Sequence, residues 1–161
     1  MIIALMIGRA GSKGFPNKNL KSLNGKKICE YPLIAARKSK NVSKIFVSTD
    51  CPKIKTISKK YSASLIDRPK SLCGSKALGD HVFEHAYFEI KKQYKDIKYV
   101  VLLFANAPLV TSKMIDKGIN ILSRNKKFDS AVSTSVYNMW SPLRARKLNK
   151  DGTLKPFVKF E

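Results

Sequence analysis

The sequence predicts an α/β fold, a mainly parallel sheet with helices on both faces. Three observations carry that expectation. Short β-rich apolar runs alternate with amphipathic segments in the order β-α-β-α-β-α-β-α-β. The runs at 2–7 ("IIALMI") and 99–104 ("YVVLLF") are nearly unbroken by polar residues, as in strands buried on both sides. The first run also empties into a loop crowded with Gly8, Gly11 and Gly14, at the strand end where such sheets hold ligands.

In chain order, residues 2–7 form the first strand and 29–40 the first helix. Residues 44–50 ("KIFVSTD") are the second strand and 52–61 the second helix, with Asp50 ahead of Pro52 as its cap. A strand at 63–67, a helix at 77–93 and a strand at 98–105 follow. The helix at 111–125 repeats Met114, Ile115, Ile119 and Leu122 at helical spacing behind a Thr111 or Ser112 cap. A fifth strand is expected at 129–137 ("DSAVSTSVY"). After Tyr137 the helical period vanishes and Asp151-Gly152 signals a tight turn. The chain therefore divides into a domain at 1–137 and the start of a β appendage at 138–161.

Length and composition set the limits of function. With 161 residues, 43% of them hydrophobic, the chain has enough apolar material for one core. Its 32 Lys+Arg against 11 Asp+Glu give a formal net charge of +21, a field that favours polyanionic partners. The lysines, however, are scattered along the whole chain, mostly where a helix faces solvent. A dedicated nucleic-acid site gathers basic and aromatic residues on one face, and the small cluster of Trp140, Arg144 and Arg146 does not reach that, so no nucleic-acid partner is expected. Cys29, Cys51 and Cys73 are odd in number and widely spaced, the pattern of reduced thiols. No apolar run approaches the ~20 residues that span a bilayer, and the opening residues lack a signal-peptide pattern. The expectation is a cytoplasmic protein with no membrane partner.

The loop after the first strand excludes two familiar patterns. It lacks the Gly-x-x-x-x-Gly-Lys-Ser/Thr of a Walker loop, and its glycines fall as G-x-x-G-x-x-G, not G-x-G-x-x-G. Its chemistry still suits an anion. Small residues let backbone N–H groups converge, Ser12 adds a hydroxyl, and Arg9, Lys13 and Lys18 add charge.

The stretch "GRAGSKGFPNKN" resembles the nucleotide-binding motif of the acylneuraminate cytidylyltransferase (CMP-sialic acid synthetase) family, A-R-x-x-S-K-G-x-x-x-K-N. "VSTD" at 47–50 and "DRPKSL" at 67–72 are similar to later family segments in the same order. The resemblance implies a Rossmann-like nucleotidyltransferase that uses Mg²⁺ to join CMP from CTP to a nonulosonic acid sugar, releasing pyrophosphate. It implies Arg9, Lys13 and Lys18 as catalytic cations on the triphosphate. Gly11, Ser12, Gly14, Asn19, Arg68, Ala77 and Asn106 are implied as substrate-binding residues, with Asn19 near the ribose and Arg68 and Ala77 at the nucleotide. The metal ligands are left open. A homodimer built through the segment after residue 137 is implied as well.

Departures from the family pattern accompany it. "LLFANAPLV" stands where the family reads L-L-Q-P-T-S-P-L-R, so Phe104 replaces a sugar-contacting Gln and Val110 an Arg. Asn106 stands where the related octulosonate enzymes carry a metal-binding Asp, and "GSKALG" replaces an acid-bearing segment. The family's downstream D-x-D acids are not among these residues, which makes the chain look incomplete and slow in turnover. A catalytically silent nucleotide-binding relative is the alternative, ahead of a basic nucleic-acid-binding protein. "HVFEH" at 81–85, with Glu161 as a third ligand, matches an H-x-x-E-H zinc pattern, but its histidines fall on the polar border of an amphipathic helix, which favours an ordinary packing role.

Overall fold

The computed structural model describes residues 1–11, 14–74, 77–134 and 146–156, and the side chains of residues 146 and 148 are left aside. The chain forms two compact units, Met1–Ala131 and Val132–Glu161. In the first, strand β1 (Ile2–Gly8) is followed by the two-residue strands β2 (Ser22–Leu23) and β3 (Lys26–Lys27), which pair with each other. Helix α1 (Glu30–Lys38), strand β4 (Lys44–Thr49), helix α2 (Pro52–Lys59) and strand β5 (Ser64–Ile66) come next. Helix α3 (Gly79–Gln93), strand β6 (Tyr99–Phe104) and helix α4 (Ser112–Arg124) complete the unit.

Four strands make one parallel sheet in the order β5-β4-β1-β6. β1 is central because its side chains are apolar on both faces, and alternation divides them between two cores. Ala4 and Met6 join Leu33, Ala35 and Ala36 of α1, Ile54 of α2, and Ile115 and Ile119 of α4. Ile3, Leu5 and Ile7 meet Val82, Ala86 and Ile90 of α3 on the opposite face. The sheet is thus parallel and covered on both faces.

Three expectations are corrected. Asp50 does not cap α2: Cys51 holds the N-cap position without a side-chain bond, and Pro52 in the first turn removes an N–H that would need one. The β6 run is not buried on both sides. It pairs only with β1 among the described strands, which leaves Leu102 and Phe104 38% and 48% exposed. Residues 129–134, the described part of the expected fifth strand, are irregular and exposed, with Val132 at 81%. Small and hydroxyl side chains there provide little apolar area to hold a strand on the sheet. Residues 135–137 lie outside the described residues. By contrast α4 has the cap its sequence suggests, Thr111 Oγ1 accepting from Met114 N at 3.2 Å.

Two carboxylates tie the helices together. Asp116 of α4 accepts from Ser39 Oγ, Asn41 Nδ2 (2.9 Å) and Lys40 N (3.2 Å) just past α1. Burial alone would raise its pKa, but these donors bring it below the ordinary value. Glu30 accepts from Tyr61 Oη (2.7 Å) and Lys27 N (2.6 Å), binding α1 to β3 and to the end of α2. Here too burial opposes and the hydrogen bonds, with Lys60 and Lys26 nearby, prevail in lowering the pKa. Burial and the Glu30 contact push the Tyr61 phenol up to about 12.

In the second unit, β7 (Arg146–Leu148) and β8 (Leu154–Pro156) form an antiparallel hairpin. Its turn is closed by Asn149 N donating to Thr153 O at 2.9 Å, with Gly152 at φ +82°, a conformation glycine adopts without strain.

Candidate functional site

The chain runs from β1 to β4 on one side of β1 and reaches β6 on the other, so the strand order reverses at β1. A crevice outside the carboxyl ends of the strands follows from that reversal. The structure has a cleft of about 460 Å³ there. Its floor is Ile7, Gly8 and Ala105, one side is the loop after β1 with Arg9, Gly14, Phe15, Lys18 and Asn19, and the other holds Gly74, Ala77, Gly79, Val82, Phe104 and Asn106.

Close backbone approach sets the depth of the floor. Ala105 N donates to Ile7 O at 3.0 Å, and a Cβ on Gly8 would fall 2.5 Å from the Ala105 Cβ. Only glycine fits at this crossing of β1 and the end of β6. Gly11 needs glycine for a different reason: its φ is +64°, in the left-handed region, with nothing within 4 Å of its would-be side chain. The loop closes through Asn17, also left-handed at φ 53°, and a 3₁₀ turn over Lys18–Leu20.

The structure brings Arg9, Gly14, Lys18, Asn19, Arg68, Ala77 and Asn106 to this one cleft, with Gly11 in the loop beside it. Ser12 and Lys13 lie outside the described residues. Arg9 is half-exposed, and its Nη1 donates to Gly11 O at 3.3 Å. Asn19 is 8% exposed; its Nδ2 donates to Arg9 O at 3.3 Å, and its Oδ1 is buried with no hydrogen-bond partner among the described residues. A buried acceptor left unpaired is costly, and this atom is open to a donor from water or a bound molecule.

Arg68 lines the cleft yet bonds mainly to the protein. Its side chain is 3% exposed; Nη2 donates to Ser48 O (2.6 Å) and Gly8 O (3.4 Å), and Nε to Ser48 Oγ (3.3 Å). Nη1 lies 4.0 Å from Asp50 Oδ1. Burial lowers the guanidinium pKa, and the Asp50 charge opposes that shift.

Phe15, Gly74, Gly79 and Val82 also line the cleft, beyond the residues that the resemblance implies. Gly8 carried a signal, as the last residue of an apolar strand opening a glycine loop; Val82 carried none beyond helical spacing, which marks it equally as core.

Mg²⁺ has no ready protein ligands in what is described. No Asp or Glu is among the described residues lining the cleft, Asn106 offers only a neutral amide oxygen, and no group of three His, Cys, Asp or Glu among the described residues is placed to hold a metal ion. The described residues do not fit a protein-held magnesium. His81 and His85 occupy one side of α3, and Glu161 is outside the described residues.

A doubly covered parallel sheet with an anion-suited loop beyond its central strand is a Rossmann-like arrangement that suits a nucleotide. Residues 3–151 match the cytidylyltransferase family, and the chain belongs to it. It is 31% identical over 156 residues to the N-acylneuraminate cytidylyltransferase of Escherichia coli, covering 97% of this chain and 36% of that one. It is 29% identical over 147 residues to a Helicobacter pylori protein named pseudaminic acid cytidylyltransferase and UDP-2,4-diacetamido-2,4,6-trideoxy-beta-L-altropyranose hydrolase, covering 91% and 28%. The fold is shared with CMP:2-keto-3-deoxy-manno-octonic acid synthetase, solved with CTP, at a TM-score of 0.61 and 14% identity over 78% of this chain and 48% of that one. The chain thus spans about a third of these two curated relatives' length. No helix among the described residues is long and apolar enough to cross a membrane.

Proposed function

We propose that this protein is a cytidylyltransferase that transfers CMP from CTP to a nonulosonic, sialic-type acid with release of pyrophosphate, for cell-surface glycan synthesis. The observation that carries the reading is the make-up of the cleft: a glycine loop bearing Arg9 and Lys18 faces a wall of Gly74, Ala77, Gly79, Val82, Phe104 and Asn106. Lys18 and Arg9 supply charge for the triphosphate. The unpaired Asn19 Oδ1 supports a nucleoside contact, because ribose hydroxyls and the cytosine amino group carry the donors that an ionised phosphate lacks.

In the reaction the anomeric hydroxyl oxygen of the acid sugar attacks the α-phosphorus and its proton passes to solvent water. The bond from the α-phosphorus to the oxygen bridging to the β-phosphate breaks, and pyrophosphate leaves with that electron pair. Negative charge grows on the nonbridging and leaving oxygens, so fixed cations and backbone N–H groups that tighten in the transition state lower the barrier. The names of the two curated relatives support a nine-carbon acceptor. The same reading has the protein acting in the cytoplasm as a homodimer joined through 138–161, a state that light scattering measures.

The test is pyrophosphate release with CTP or ATP and a panel of acid sugars. Slow release with CTP and a sialic, legionaminic or pseudaminic acid is expected. Release only with the eight-carbon octulosonic acid changes the acceptor, and equal use of ATP removes the cytidine assignment. The missing acidic lining favours a second reading, a nucleotide-binding relative without turnover, which CTP binding without release would mark.

A further inference from the structure

We infer that Asp50 is a positioning residue for the loop after β1, holding that loop in the shape that receives a triphosphate; the inference rests on the CTP reading above. Asp50 follows β4, the strand beside β1, and parallel pairing of Gly8 with Thr49 brings it next to the point where the loop leaves the sheet. Its Oδ1 accepts from Ala10 N at 2.7 Å, the first loop amide past Arg9. The carboxylate is 16% exposed and stands 4.0 Å from Arg68 Nη1, while Arg68 joins Gly8 O to Ser48 O. Ala10, Gly8, Ser48 and Arg68 are therefore fixed around one carboxylate.

That arrangement acts at the entry to a loop whose described residues are largely exposed. Gly11 and Gly14 have nothing within 4 Å of a would-be side chain, and residues 14–17 are exposed. The bond to Ala10 and the Asn19 Nδ2 bond to Arg9 O are thus the side-chain ties from the described sheet and turn to the loop's first two residues. With the entry to the loop fixed, Arg9 and Ala10 are held before ligand arrives, so less order is lost on binding. Asp50 itself touches no substrate in this account.

Binding of CTP and of cytidine is measured by titration for the wild type, Asp50→Ala and Asp50→Asn, with amide hydrogen exchange at Ala10 and thermal melting alongside. Asp50→Ala is expected to weaken CTP on the order of tenfold, the loss of one charge-assisted hydrogen bond, while cytidine binding is kept. Exchange at Ala10 should rise. Asp50→Asn keeps an acceptor oxygen for Ala10 N and should restore most of the CTP affinity and the protection. Equal losses for CTP and cytidine, or an unchanged CTP affinity in Asp50→Ala, would overturn the inference while leaving the ligand assignment intact. A wild type that fails to bind CTP overturns both.

Discussion

Gly8 and Arg68, at the floor of the cleft, are held from several directions, whereas Gly11 and Gly14 in the loop above them meet nothing within 4 Å of a would-be side chain. The floor is fixed by backbone contact: β1 crosses Ala105 too closely for any Cβ, and Arg68 satisfies carbonyls at the ends of two strands. Among the described residues the loop is tied at its entry through Arg9 and Ala10 and at its exit by the 3₁₀ turn over Lys18–Leu20, with residues 14–17 exposed between them. Firm floors and mobile loops are a common division in α/β proteins, because the sheet sets geometry while the loop adapts to ligand. Here the division predicts that changes to the floor cost stability and changes to the loop cost affinity.

The sharpest way to break the comparison is Arg68→Ala. It leaves Asp50 without its cation and takes a donor from the Gly8 and Ser48 carbonyls, and should lower unfolding free energy by about 3 kcal/mol in urea titration. Gly8→Ala forces the floor apart at Ala105 and should cost about 2 kcal/mol in the same measurement. If either substitution leaves stability unchanged, the floor is not the rigid half.

Much of the floor's plan was legible in the sequence, and the ties that secure it were not. Unbroken apolar character at 2–7 correctly marks a central buried strand. The same character at 99–104 was read the same way, yet β6 sits at the edge of the described sheet, because composition reports burial in general and not which neighbours provide it. The glycine loop announced itself by spacing and charge. Asp50 read as a helix cap because local sequence shows only Pro52 beside it; its true partner, Ala10, is 40 residues away and is brought near by strand pairing. Arg68 lines the cleft, as the resemblance implies, but its bonds to the strand-end carbonyls of Gly8 and Ser48 are invisible in local sequence.

Away from the cleft, Asp116 offers a smaller test. Asp116→Ala removes the acceptor for Ser39, Lys40 and Asn41 and should cost about 1.5 kcal/mol. Because Asp116 and Glu30 have lowered pKa values in the folded state, their contribution is complete above the unfolded carboxylate value of ~4 and is lost as pH falls through the depressed folded values. Urea midpoints should accordingly drop on acidification, and drop less in Asp116→Ala. The smallest effect is expected at the surface pair Lys55–Asp67, 3.1 Å apart with Asp67 96% exposed: Lys55→Ala should change stability by less than about 0.5 kcal/mol.

The central claim is that the loop after β1 holds the triphosphate of CTP, and calorimetric titration of CTP into the wild type and Lys18→Ala tests it most directly. Lys18 lines the cleft on the loop side and is half-exposed, so its removal leaves the packed floor untouched. One CTP site is expected in the wild type, with a loss of about 1.5–3 kcal/mol in Lys18→Ala at an unchanged melting temperature. CTP binding of equal strength in both proteins would contradict it.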